Sequence, residues 1–114
     1  MDRLLMRGSV LALAIGMGTA ATAQDTLEMW ARTDVENFLP QVVEAFNATH
    51  ETQIEVQFIP PSELVQKFAT AAAGGTAPDI LSLDLIYTPA FAAAGQLTDL
   101  TDLAQGLPYF DQLS

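Results

Sequence analysis

Three short runs with strand character alternate along the chain with stretches of helical periodicity, and few folds accept that order. The clearest run is Ile54-Glu55-Val56-Gln57-Phe58, strictly apolar then polar and closed by Pro60-Pro61. Thr26-Leu27-Glu28-Met29-Trp30 shows a weaker alternation, and Ile80-Leu81-Ser82-Leu83 reads as a continuous, buried-type strand. Between the first two, Leu39, Val42, Val43 and Phe46 recur at helical spacing. Pro40 is compatible with that helix only if it starts just before the proline, with Glu36 or Asn37 near the cap and an end around Thr49-His50. Ser62 is the expected cap of a second helix whose Leu64, Phe68, Ala71 and Ala72 form one apolar face, ended by Gly74-Gly75. Thr88-Pro89 reads as a cap followed by proline at the first helical position, and Gly95 as the closing glycine. The tail, with Leu97, Leu100 and Leu103 among Thr and Asp, supports no more than a short helical turn. Strand, helix, strand, helix, strand, helix predicts right-handed βαβ crossovers over a parallel sheet, hence an α/β fold.

Residues 1–23 stand apart from that pattern because they have the form of a secretory leader. Arg3 and Arg7 precede an apolar run from Val10 to Met17, and Ala21-Thr22-Ala23 follows as an A-x-A cleavage site, so the cut is expected between Ala23 and Gln24. The apolar run is shorter than the ~20 residues a membrane span needs, and Gly16 and Gly18 interrupt it. With Gln24, not cysteine, after the cut, the expected product is a soluble periplasmic protein without a lipid anchor. Loss of Asp2, Arg3 and Arg7 takes the formal net charge from −10 to −11. Such a chain repels nucleic acid and anionic membrane surfaces, whose phosphates need clustered Lys and Arg. The absence of cysteine excludes disulfides, thiolate metal sites and cysteine nucleophiles.

Five segments, in order and at consistent spacing, resemble a known family. They are Leu27-Glu28-Met29-Trp30, Ala45-Phe46-Asn47, Ile54-Glu55-Val56, Gly74-Gly75-Thr76-Ala77-Pro78-Asp79-Ile80 and Ala94-Gly95-Gln96-Leu97-Thr98-Asp99-Leu100. Together they resemble the bacterial extracellular solute-binding proteins of ABC importers, the family that includes maltose- and glycerol-phosphate-binding proteins. The resemblance implies a type II-like, two-lobed periplasmic binding protein, of which residues 24–114 would be the N-terminal part of the solute-binding domain, a βαβαβα half-lobe without its second lobe. It also implies a small solute, most often a carbohydrate, and an ABC permease as partner, with polyamine- and iron-binding relatives as alternatives.

Open parallel sheets bind ligands beyond the carboxyl ends of their strands, where the strand order reverses. In the resembled fold the first three strands run 2-1-3, so the candidate loops are Ala31-Arg32-Thr33-Asp34 and Asp84-Leu85-Ile86-Tyr87. Asp34 and Asp84, as ionised acceptors, suit a sugar hydroxyl or an ammonium. Asp34 also suits a helix cap, and Asp84 a cap of the following turn. Tyr87 can stack on a sugar face or pack on the lobe surface. Arg32 can clamp an anionic group or pair with Asp34. Trp30 is expected in the core, Asp79 in the turn before the third strand, and His50 at a solvated helix end. With no second histidine and no cysteine, His50 makes no metal site, and no cofactor is expected. Asp34 and Asp84 could serve a secreted hydrolase as paired carboxylates. No Gly-x-Ser-x-Gly elbow, His-Glu-x-x-His or phosphate-cradling glycine loop supports an enzyme.

Overall fold

The computed structural model describes residues 25–113; the leader expected over residues 1–23, with the expected cut between Ala23 and Gln24, lies outside the described residues. Three strands, β1 (Thr26–Arg32), β2 (Gln53–Ile59) and β3 (Ile80–Leu81), form a parallel sheet in the order β2-β1-β3. This is the α/β arrangement expected from the alternation of periods. Four helices accompany it: α1 (Leu39–Asn47), α2 (Pro61–Gly74), α3 (Thr88–Ala93) and α4 (Thr101–Gln105). Single 3-10 turns occupy Thr33–Val35 and Phe110–Gln112.

Register decides which side chains share a face. Trp30 lies opposite Gln57 on β2 and Leu81 on β3, while Ala31 lies opposite Phe58. Neighbours in register project together, and successive residues alternate. On the Trp30 face, α2 contributes Leu64, Phe68 and Ala71, one apolar stripe at i, i+4 and i+7. These bury with Trp30 and Ile59 to make the core, and Ala72, Leu81, Phe91 and Leu97 pack around it. Phe91 of α3 meets Phe68 edge to face, with ring centroids 4.9 Å apart.

The other face is more thinly covered. Helix α1 buries no residue completely, and Val42 is 57% exposed although its spacing placed it on the apolar stripe. An open groove of about 540 Å³ separates Pro40, Val43 and Asn47 from Val56 and Phe58. Asn47 ties the end of α1 to the sheet: its Nδ2 donates to the Ile54 carbonyl (2.9 Å) and its Oδ1 accepts from the Ile54 N–H (2.8 Å). His50 sits exposed after this helix, stacked on Phe46 at 3.9 Å with Nδ1 2.9 Å from the Phe46 carbonyl. That matches the solvated helix-end position expected for it.

Helix starts differ from the sequence expectation. α2 begins at Pro61, preceded by Pro60, so Ser62 lies inside the first turn and caps nothing. Proline is preset for the first helical position, and the Pro60 carbonyl accepts from the N–H groups of Glu63 and Leu64. α3 likewise starts at Thr88 with Tyr87 before it, and the Thr88 hydroxyl donates back to the Asp84 carbonyl at 3.3 Å. α1 follows Phe38, not Glu36 or Asn37. Helix ends follow expectation more closely. Gly75 and Gly95 take left-handed φ of 74° and 72°. After each, a 6→1 bond forms, from the Thr76 N–H to the Ala71 carbonyl and from the Gln96 N–H to the Phe91 carbonyl.

β1 runs two residues further than its alternation suggested, taking in Ala31 and Arg32, and β3 is two residues shorter, ending at Leu81. Among the described residues β3 has a neighbour on one side only, and past Leu81 the ladder consists of one bond, from the Ser82 N–H to the Trp30 carbonyl at 2.9 Å. Asp79 anchors the start of β3. Its N–H donates to the Glu28 carbonyl (3.0 Å) and its Oδ2 accepts from the Glu28 N–H (2.9 Å). The side chain thus supplies the acceptor that a backbone carbonyl would supply in a longer strand.

Candidate functional site

β1 leads through α1 to β2 on one side, and α2 carries the chain back to β3 on the other, so the strand order reverses at β1 and the loops leaving the carboxyl ends of β1 and β3 lie side by side. Three charged side chains converge there. Arg32 is the last residue of β1, Asp34 lies in the 3-10 turn that follows, and Asp84 lies just beyond β3. One guanidinium nitrogen of Arg32 contacts Asp34 Oδ2 at 3.1 Å, and the other terminal nitrogen pairs with Asp84 Oδ1. Of the alternatives for Arg32, the ion pair with Asp34 is therefore present, and a second one with Asp84 accompanies it. Sequence spacing alone did not indicate that second pair, because it joins the end of β1 to the loop after β3, two crossovers further along the chain.

The Arg32 side chain is 22% exposed and the carboxylates are about half exposed. Its Nε is buried without a hydrogen-bond partner. The guanidinium is held above its ordinary pKa, first by the hydrogen bond to Asp84, against the opposing effect of burial, with the charges of Asp34 and Asp84 adding to the rise. Arg32 stays charged at any working pH.

Tyr87 belongs to the same loop and is joined to it through the backbone, its N–H donating to the Asp84 carbonyl at 3.0 Å. Tyr87 is 39% exposed. Leu85 and Ile86, between Asp84 and Tyr87, project still further into solvent. The loop therefore presents a polar cluster at its base and apolar side chains at its tip. Trp30, expected in the core, is buried there; its indole N–H donates to Glu28 Oε1 at 2.6 Å, and Lys67 Nζ lies 4.4 Å from the ring centroid.

Concavities lie away from this cluster. One of about 790 Å³ runs along α2 past Trp30, Gln66 and Lys67, and another, of about 540 Å³, lies between Phe68, Leu81 and Leu97. Among the described residues no three His, Asp or Glu side chains are grouped to hold a metal ion, and no helix is long and apolar enough to cross a membrane.

A β2-β1-β3 parallel sheet with helices packed around it is the construction of a periplasmic binding protein lobe. Residues 31–111 match the bacterial extracellular solute-binding protein family, and the chain belongs to that family. Among solved structures the fold is similar to that of an ABC transporter solute-binding protein from Thermotoga lettingae TMO, bound with alpha-D-tagatose. The TM-score is 0.71 at 23% sequence identity, over 79% of this chain and 24% of that one. The chain thus spans about a quarter of the length of that structure. Comparison with curated proteins gives no match.

Proposed function

We infer that this chain is the N-terminal part of an exported solute-binding protein, residues 24–114 after removal of a leader, and that it supplies one wall of a cleft for a small solute. The solute is a carbohydrate, handed in the closed state to the permease of an ABC importer. The protein works in the periplasm without a lipid anchor, and it binds without catalysis. The observation that carries this reading is the convergence of Arg32, Asp34 and Asp84 at the strand-order reversal of a chain in the solute-binding family. Asp34 and Asp84 accept hydroxyl hydrogen bonds, Arg32 orients both carboxylates, and Tyr87 offers an aromatic face to a sugar ring. The relative with bound tagatose supports a sugar as the first class to test.

An open wall, not an enclosed pocket, is what one side of a two-sided cleft would present, since the opposing lobe completes the enclosure on hinge closure. The test is calorimetric titration of neutral monosaccharides, tagatose included, into the protein and into Asp84→Ala. Saturable binding that weakens roughly 10- to 150-fold in the variant supports the reading, that being the effect of one hydrogen bond to a charged group. Binding unaffected by the loss of Asp84, or turnover of the sugar, would overturn it. Export is tested separately by N-terminal sequencing of the periplasmic protein, where Gln24 is expected.

A further inference from the structure

Beyond the leader the chain carries two Lys or Arg side chains, Arg32 and Lys67, and Lys67 is engaged over the Trp30 ring on α2. Arg32 is the one that reaches the strand-end cluster, where it holds Asp34 and Asp84 at the same time. One positive and two negative charges leave the cluster at −1.

We propose that Arg32 sets the charge selectivity of this half-site, an inference that rests on the solute-binding reading above. Two carboxylates brought to one strand edge would by themselves suit a small polycation, each ammonium taking charge-assisted hydrogen bonds. Arg32 occupies that position from within. Its planar fork serves both carboxylates at once, and an incoming ammonium has to displace a group tethered to β1. Anionic solutes are turned away as well, because both terminal nitrogens of the guanidinium are engaged and the surrounding charge is negative. A neutral hydroxylated solute meets neither obstacle. It can donate to the lone pairs that remain exposed on Asp34 and Asp84 while Arg32 stays in place.

The experiment is calorimetric titration of spermidine, and separately of glycerol 3-phosphate, into the full chain and into Arg32→Gln and Arg32→Lys. The unsubstituted chain is expected to bind neither probe more tightly than about 1 mM. Arg32→Gln should bind spermidine at least about tenfold more tightly. Arg32→Lys, whose point charge serves one carboxylate at a time, should fall between the two. Spermidine binding to the unsubstituted chain as tight as to either variant overturns the proposal, and so does a folded Arg32→Gln with no gain. Should Arg32→Gln lose its circular dichroism spectrum, Arg32→Lys decides: a gain supports the proposal and none overturns it. Should both unfold, the unsubstituted chain decides by whether it takes spermidine. Failure of neutral sugars to bind bears on the solute-binding reading alone, since the spermidine difference is measured independently of it.

Discussion

Replacing Asp79 by alanine removes one hydrogen bond from the shortest pairing in the sheet. β3 is held to β1 by two residues in register, Met29 with Ile80 and Trp30 with Leu81. Flanking bonds come from the Asp79 N–H to Glu28, from the Glu28 N–H to the Asp79 carboxylate and from the Ser82 N–H to Trp30. Alanine keeps the first and last of these and abolishes the middle one. A hydrogen bond to a charged group contributes about 1.5 to 3 kcal/mol, and the solvent exposure of this one puts the expected loss near 1.5 kcal/mol. For a domain of this size each kcal/mol lowers Tm by about 4 to 8 °C, so Asp79→Ala should melt roughly 6 to 12 °C below the parent. Asp79→Asn, whose side-chain oxygen can still accept from Glu28, should lose about half as much. Thermal melts followed by circular dichroism, with urea titrations for the free energies, measure both variants. A melt of Asp79→Ala within a degree of the parent would refute the assignment of this carboxylate to strand pairing. Equal losses in the two variants would refute the role of acceptor geometry and leave charge as the cause.

Phe68 touches both the sheet core and Phe91, so Phe68→Ala should cost about 3 to 5 kcal/mol, a large share of the stability of a small domain, and its far-UV spectrum should show substantial unfolding at 25 °C. Gly74 and Gly75 should respond oppositely to alanine: about 1 to 2 kcal/mol lost at Gly75 with its φ of 74°, and a slight gain at Gly74, where an added Cβ meets nothing closer than Thr76 Oγ1 at 4.0 Å; urea midpoints would separate them. The Asp99 carboxyl is held below its ordinary value of 3.8, first by the Thr101 hydroxyl and then by the Thr101 N–H. Its folded-state pKa is depressed, so its contribution is complete above 3.8 and disappears as pH falls through the lower folded value. NMR titration of Thr101→Val should find Asp99 moved back up; an unchanged midpoint would count against the hydroxyl as the main cause.

Periodicity reports what each segment buries, and the α2 stripe of Leu64, Phe68 and Ala71 was legible for that reason: the buried face is a property of spacing on one helix. The α1 stripe was legible in the same way, yet Val42 stands exposed because burial also needs a partner surface, and the described structure covers that face thinly. Helix starts were less legible than helix ends. Left-handed glycine closes a helix almost alone, whereas the start of α2 was set by competition between Pro61 and Ser62, which the geometry of proline won. Asn47 passed as one residue of a family resemblance, and its two bonds to Ile54 depend on how α1 docks against β2.

Local chemistry in the sequence determined the α/β class, the core stripe of α2 and the glycine stops, while the candidate loops after β1 and β3 came from the strand order of the resembled family. The first three follow from side-chain period and backbone preference within a few residues. Tertiary structure alone decided that β1 continues through Arg32, that Asp79 completes the β1–β3 ladder, and that Arg32, besides its pair with Asp34, reaches Asp84. Between Arg32 and Asp84 lie α1, β2, α2 and β3, and the two residues meet because β3 pairs with β1 across the sheet from β2. A contact of that kind is a consequence of strand order, which no local pattern encodes.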